Sequence, residues 1–271
     1  MDFRTAVEKT IAYSAFFNFP LFPKEIHYWL ISPRTVSYSS LIKYFPTLKL
    51  KQIKLRNSLQ KYTHQKERIA YRFIKYARFL PGVRLIALTG SVAINNSSQK
   101  DDLDLLIVTA PNCLWLVRPL LLTLLSLKFN RRHPGDNPIK TKNAFCPNLW
   151  LDTKSLTVPQ KRRNLYTAHE VLQIKPLLDR GNTYQSFIKS NTWVKHYLAN
   201  AYQLTSKGYT STNKYSWLTA IVIPLNYLMF IFQYLYMLPK ITTESISLHS
   251  AFFHKNDFST PINNYLKNLS L

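Results

Sequence analysis

The sequence predicts an α+β protein, a small mixed sheet with flanking helices, on three observations. Apolar positions over the first 80 residues fall at helical spacing, short β-branched apolar runs begin after Pro81-Gly82, and those runs then alternate with helical segments. With 271 residues, 46% of them apolar, the chain can also bury a sizeable core. The expected organisation is a helical module at 1–80, a mixed core at 81–180 and a helical C-terminal region at 181–271.

Residues 4–19 read as a first helix. A second, over 23–31, opens with Pro23, whose fixed φ suits a first helical turn, and carries Glu25 in that turn. A third covers 36–45, and three short helices in this order suggest a winged-helix-like module. From Lys49 to Arg78 there are ten Lys/Arg and one acid, Glu67, threaded with Tyr62, Tyr71, Phe73 and Tyr76 in one long helix. Cations and aromatic faces in this density suit the phosphates and bases of a nucleic acid. A solvated helix whose Ile69, Phe73, Ile74 and Ala77 face the core explains the same pattern.

Val83–Leu88 is the first expected strand, followed by Thr89-Gly90-Ser91, a short apolar segment and a polar turn over 95–101. The second strand is Leu103–Thr109, then a helix over 112–127, a loop over 130–143 and a third strand over 144–151. A helix over 163–175 ends at Pro176. Trp217 to Leu238 has 22 uncharged residues between Lys214 and Lys240, long enough to span a bilayer. Pro224, Asn226, Gln233 and four Tyr/Trp spread along its length favour a core helix over a membrane or interfacial one. Cys113 and Cys146 are too few for a disulfide scaffold or a paired zinc motif, and the N-terminus lacks an unbroken apolar run. A cytoplasmic location is the expectation.

Lys and Arg total 36 against 13 Asp and Glu, a formal charge of +23, so any gathering of acids needs a reason. Asp102 and Asp104, one residue apart at the mouth of DLDLLIVT, point to one face of a strand. Two like charges side by side call for a cation, and Mg²⁺ or Mn²⁺ commonly takes one or two carboxylates together with substrate phosphates. Gly90-Ser91, at the end of the preceding strand, lets backbone approach a ligand and opens a short helix toward an anion. A third carboxylate would complete a site for in-line phosphoryl displacement. Asp152, ending AFCPNLWLD, is the first choice and Asp136 the weaker one. Taken singly, these pieces are also what an ordinary polar turn contains.

LTGSVAINNSSQKDDLDLLIV, Leu88 to Val108, resembles the signature of the DNA polymerase β-like nucleotidyltransferase superfamily: Gly-Ser after a strand, about ten residues, then Asp-x-Asp on the next strand. CPNLWLD, NLYTAHEVLQIKPLLDRG and NTWVKHYLAN are similar to a bacterial branch of stand-alone nucleotidyltransferase-domain proteins. The resemblance implies that Gly90 and Ser91 hold a nucleoside triphosphate, that Asp102 and Asp104 bind the metals, and that Asp152 is the third acid. It implies transfer of a nucleoside monophosphate to a hydroxyl on a small molecule, nucleic acid or protein. It also favours a soluble, cytoplasmic reading of 217–238. His169-Glu170 and His254 to Asp257 match the branch too, with helix packing or capping as their expected role. The competing expectation is a nucleic-acid-binding regulator that only senses nucleotide.

Overall fold

The computed structural model of the chain describes residues 2–46, 50–133, 135–208, 219–253 and 258–270. Its N-terminal segment is helical: α1 (Phe3–Phe16), α2 (Pro23–Tyr28), α3 (Tyr38–Leu41) with a following 3-10 turn, and the 28-residue α4 (Leu50–Ala77). Pro23 starts α2, and the Glu25 carboxylate accepts the Phe22 N–H at 2.8 Å, satisfying a donor that a helix start leaves free. Among the described residues of 1–80 no β-hairpin follows these helices.

This segment does not stand apart. Ala12, Tyr13 and Ile31 share one apolar cluster with Leu85, Leu106 and Val108 of the sheet and with Trp193 and Leu198 further on. Asn200 accepts the Val36 N–H and donates to the His27 carbonyl, both at 2.8 Å. On α4, Phe73 and Ala77 enter the core while Arg68, Arg72 and Lys75 face solvent, so the amphipathic reading of that helix holds.

The core continues through β1 (Val83–Leu88), α5 (Gly90–Ala93), β2 (Leu103–Thr109), α6 (Leu114–Lys128), α7 (Pro138–Thr141) and β3 (Phe145–Asp152). Then come α8 (Leu165–Leu172), β4 (Lys175–Asp179), α9 (Thr183–Ser190), α10 (Ala199–Thr205), α11 (Thr219–Met237), β5 (Ser245–Ile246), β6 (Ser250–Phe252) and α12 (Ser259–Asn268). The strands form one open mixed sheet in the order β4-β1-β2-β3-β6-β5. Only β2 and β3 run parallel, because α6 carries the chain over the sheet between them. Leu85, Ala87, Leu106 and Val108 pack on one face and Ile86, Leu88, Leu105 and Ile107 on the other. Burial on both faces is why β1 and β2 read as unbroken apolar runs.

Two expectations change. The helix expected over 163–175 stops at Leu172, and Lys175–Asp179 forms β4. β4 is an edge strand, where Pro176 and its missing N–H are tolerated. The segment expected as a core helix is α11, buried along one side only. Pro119 inside α6 cannot donate to the Trp115 carbonyl, and Gln233 of α11 donates to it instead at 2.7 Å. Asn226, 1% exposed, accepts the Trp115 N–H at 2.9 Å in the first turn of α6. The polar residues of α11 are therefore its attachment points, while Ile221, Leu228, Phe232 and Leu235 stay exposed. Among the described residues no helix is long and apolar enough to cross a membrane. Lys49, Lys214, Trp217 and His254 to Asp257 lie outside the described residues.

Candidate active site

The site is built where β1 ends and β2 begins. Gly90 has φ +61° at the start of α5, and a Cβ there would lie 2.7 Å from Asp104 Oδ2. Glycine is required twice, by the left-handed backbone and by the carboxylate pressed against it. Asp101 ties the intervening turn: it accepts the Ser91 hydroxyl and the Ser98 N–H, each at 2.9 Å. Its carbonyl in turn accepts the buried Lys66 ammonium at 2.6 Å. The polar-turn reading is thus correct for Asp101, whose bonds hold Ser91 in place beside the next two aspartates.

Asp102 accepts Arg132 Nη1 at 2.6 Å, and Asp104 accepts Asn148 Nδ2 at 2.6 Å. The parallel ladder sets Cys146 opposite Asp104, and ligand atoms of Asp102, Asp104 and Cys146 all lie within 4.8 Å of one another. Burial, then the charges of Asp102 and Glu170, push the Asp104 carboxyl well above the usual range. Burial and the same two aspartates push the Cys146 thiol up. Asn148 is 5% exposed and its Oδ1 has no hydrogen-bond partner. Three convergent donors and an orphaned amide oxygen fit a divalent cation.

These groups form the floor of a cavity of about 770 Å³. Arg118, Arg131, Arg132 and His133 line it on the basic side, and Tyr13, Phe17, Trp29, Tyr166 and Phe258 supply an aromatic wall. Burial holds the Arg118 guanidinium down at about 10, still charged at neutral pH. On α8, His169 stacks on Tyr13 at 4.0 Å and burial holds it down at about 3, a neutral packing residue as expected. Its neighbour Glu170 lines the cavity, and burial pushes its carboxyl up to about 7 against a hydrogen bond from Gln173.

Gly90, Ser91, Asp102 and Asp104 are therefore brought together, and Asp152 is not. Asp152 pairs with Thr109 five residues further along β2, about 16 Å from the Asp104 position at strand rise. It is fully buried, accepting the Asn112 N–H at 3.0 Å and the Lys154 N–H at 2.8 Å, with His249 Nδ1 at 2.7 Å. Its expected metal and catalytic role is replaced by a structural one: it latches the end of β3 to the α6 entry and the β6 turn. Asp136 lines the cavity but accepts its own loop's His133 N–H at 2.7 Å and is not among the converging donors.

Cys146, Asn148 and Arg132 carried no site role in the sequence reading, and Glu170, expected only to pack or cap a helix, instead lines the cavity. The first two alternate on AFCPNLWLD, so the strand's period offered a signal once its direction was known. Compared with protein-family models, curated proteins and solved structures, the chain finds no match in any of the three.

Replacing Asp152 by Ala should lower stability by about 3 kcal/mol, the cost of breaking a buried charged cluster. Divalent-cation affinity should be unchanged; a variant of native stability that no longer binds the cation would reverse the assignment. A second expectation concerns Glu170. Between its ordinary 4.5 and about 7, the folded protein holds a proton that the unfolded chain releases, so this group's contribution to stability is lost as pH rises through that window. Glu170→Gln should gain on the wild type from pH 5 to pH 8 by at most about 3 kcal/mol in urea unfolding. Parallel pH profiles would contradict it.

Proposed function

We propose that this protein is a metal-dependent nucleotidyltransferase, moving a nucleoside monophosphate from a nucleoside triphosphate to an acceptor hydroxyl, with Mg²⁺ or Mn²⁺ held by Asp102 and Asp104. One observation carries the reading: Gly90-Ser91 and the aspartate pair, with ten residues between them in sequence, open side by side onto one cavity walled by arginines. The resemblance of Leu88 to Val108 to the DNA polymerase β-like superfamily supports the same assignment.

A bound dication would neutralise phosphate charge and favour the attacking oxygen as its alkoxide. The protein's own groups do the rest. The Gly90 and Ser91 N–H groups belong to the first turn of α5, which the Thr89 side chain does not cap, beside the Asp104 carboxylate. The Ser91 hydroxyl, held by Asp101, positions that turn. Arg118, Arg131 and Arg132 gather the triphosphate, as the +23 background also does at longer range. The acceptor oxygen attacks the α-phosphorus, the bond to pyrophosphate breaks, and the acceptor's proton passes to Glu170, whose raised affinity for a proton suits a base near neutral pH. Glu170 is then the third acid of the site in place of Asp152.

The aromatic wall favours an acceptor with a ring or apolar body that fits inside the cavity. A second reading, a nucleic-acid-binding regulator, draws on the exposed face of α4, where Tyr71 and Tyr76 stand about half exposed among Arg68, Arg72 and Lys75. Both cysteines are free, which suits a reducing, cytoplasmic compartment.

With Mg²⁺ or Mn²⁺, α-labelled nucleoside triphosphates and a panel of hydroxyl acceptors, the wild type should form labelled product. Asp104→Asn should lower the rate by about a hundredfold or more. Undiminished labelling in that variant would sink the reading.

A further inference from the structure

We propose that Asp102, Asp104 and Cys146 form a mixed carboxylate–thiolate site that takes a transition-metal dication of the Mn²⁺ to Zn²⁺ series in preference to Mg²⁺. The proposal deepens the reading above and rests on its aspartate pair, but it adds a ligand that the Asp-x-Asp pattern does not contain.

Cys146 is fixed by the sheet rather than by a loop. It sits on β3 in direct register with Asp104, and its Sγ lies within 4.8 Å of a carboxylate oxygen from each aspartate. Two residues on, Asn148 steadies Asp104 through its Nδ2 at 2.6 Å, which fixes one carboxylate oxygen. Its Oδ1, on a residue 5% exposed that lines the same cavity, is left without a partner. A buried amide oxygen without a donor is costly, and a cation beside Asp104 is a ligand that would satisfy it. Gly90 lets Asp104 take up this position, since a methyl group there would press on its Oδ2.

The donor set then decides the metal. Mg²⁺ demands near-octahedral oxygen coordination and gains little from sulfur. Thiolate with carboxylate and carbonyl oxygen is a set for borderline metals, Zn²⁺ and Co²⁺ above all, with oxygen donors alone serving Mn²⁺. On binding, the Cys146 S–H bond breaks, its proton leaves to water and the sulfur's electron pair forms the metal–sulfur bond, with no change in oxidation state. The other cysteine, Cys113, precedes α6 away from the cavity floor and serves as an internal control.

The test is a Co²⁺ titration of the full chain, reduced and free of oxygen, read by absorption. A near-ultraviolet sulfur-to-cobalt charge-transfer band should appear, saturate at one ion per chain, persist in Cys113→Ser and vanish in Cys146→Ser. Asp104→Asn should weaken Co²⁺ affinity by about tenfold or more. Zn²⁺ at parity should remove the band, and Mg²⁺ in about hundredfold excess should leave it, as the donor preferences require. Co²⁺ bound in an Asp104-dependent way without the band, a band unchanged in Cys146→Ser, or a band lost to Mg²⁺ would each overturn the thiolate site while leaving the aspartate site standing. No Co²⁺ binding at all would overturn both.

Discussion

Two neighbouring strands can run parallel only if the chain crosses the sheet between them, and α6 makes that crossing between β2 and β3. The consequence reaches every group on the cavity floor. Parallel pairing matches the start of β3 to the start of β2, so Cys146 and Asn148 come beside Asp104 and Asp152 is carried to the far end. The antiparallel return of β1 brings Gly90 against the same carboxylate. Packing the apolar sequences of these strands on both faces leaves little freedom to slip, because a one-residue shift would exchange the side chains of the two core layers and spoil the fit of each. The geometry of the polar site is thus held by apolar packing.

Within that frame the acids sort by environment. Asp101 is consumed by its own turn, Asp152 by a buried latch, and Glu67 by Lys175 and His64. Asp104 has one amide donor and a carboxylate neighbour, Asp102 has one arginine, and Glu170 lines the same cavity among basic and aromatic residues. Burial disfavours the charged form of both Asp104 and Glu170 and pushes each carboxyl up, and at Asp104 the neighbouring charges of Asp102 and Glu170 add to it. The chain's cationic excess leaves this small acidic floor distinct, so it offers opposite attractions to a cation and to a polyanion.

Much of this was legible in residues. The boundaries of β1 and β2 follow directly from apolar runs bounded by Gly and polar turns, and the Gly-Ser and Asp-x-Asp elements meet as their spacing implies. Asp152 was misplaced because residue type was weighed without strand direction, although the strand–helix–strand order already implied parallel pairing. β4 was hidden because five residues starting Lys-Pro lie too close to a helix to show a period of their own. The surface side of α11 was hidden because composition reports how apolar a helix is and not which neighbour it finds; Asn226 and Gln233 read as reasons against a membrane and prove to be its bonds to α6. Glu170 carries no local signal, since a carboxylate after a histidine on a helix is ordinary until a cavity opens beside it.

The central claim, that the Gly-Ser turn and the aspartate pair jointly hold a metal-bound nucleotide, is tested most directly by anomalous diffraction from crystals grown with Mn²⁺ and a non-hydrolysable nucleoside triphosphate. A Mn²⁺ peak is expected at coordination distance, about 2.2 Å, from oxygens of both Asp102 and Asp104, with the triphosphate lying along Gly90-Ser91. A peak at Asp152, or an aspartate pair still bound to Arg132 and Asn148 with no nucleotide in the cavity, would contradict it.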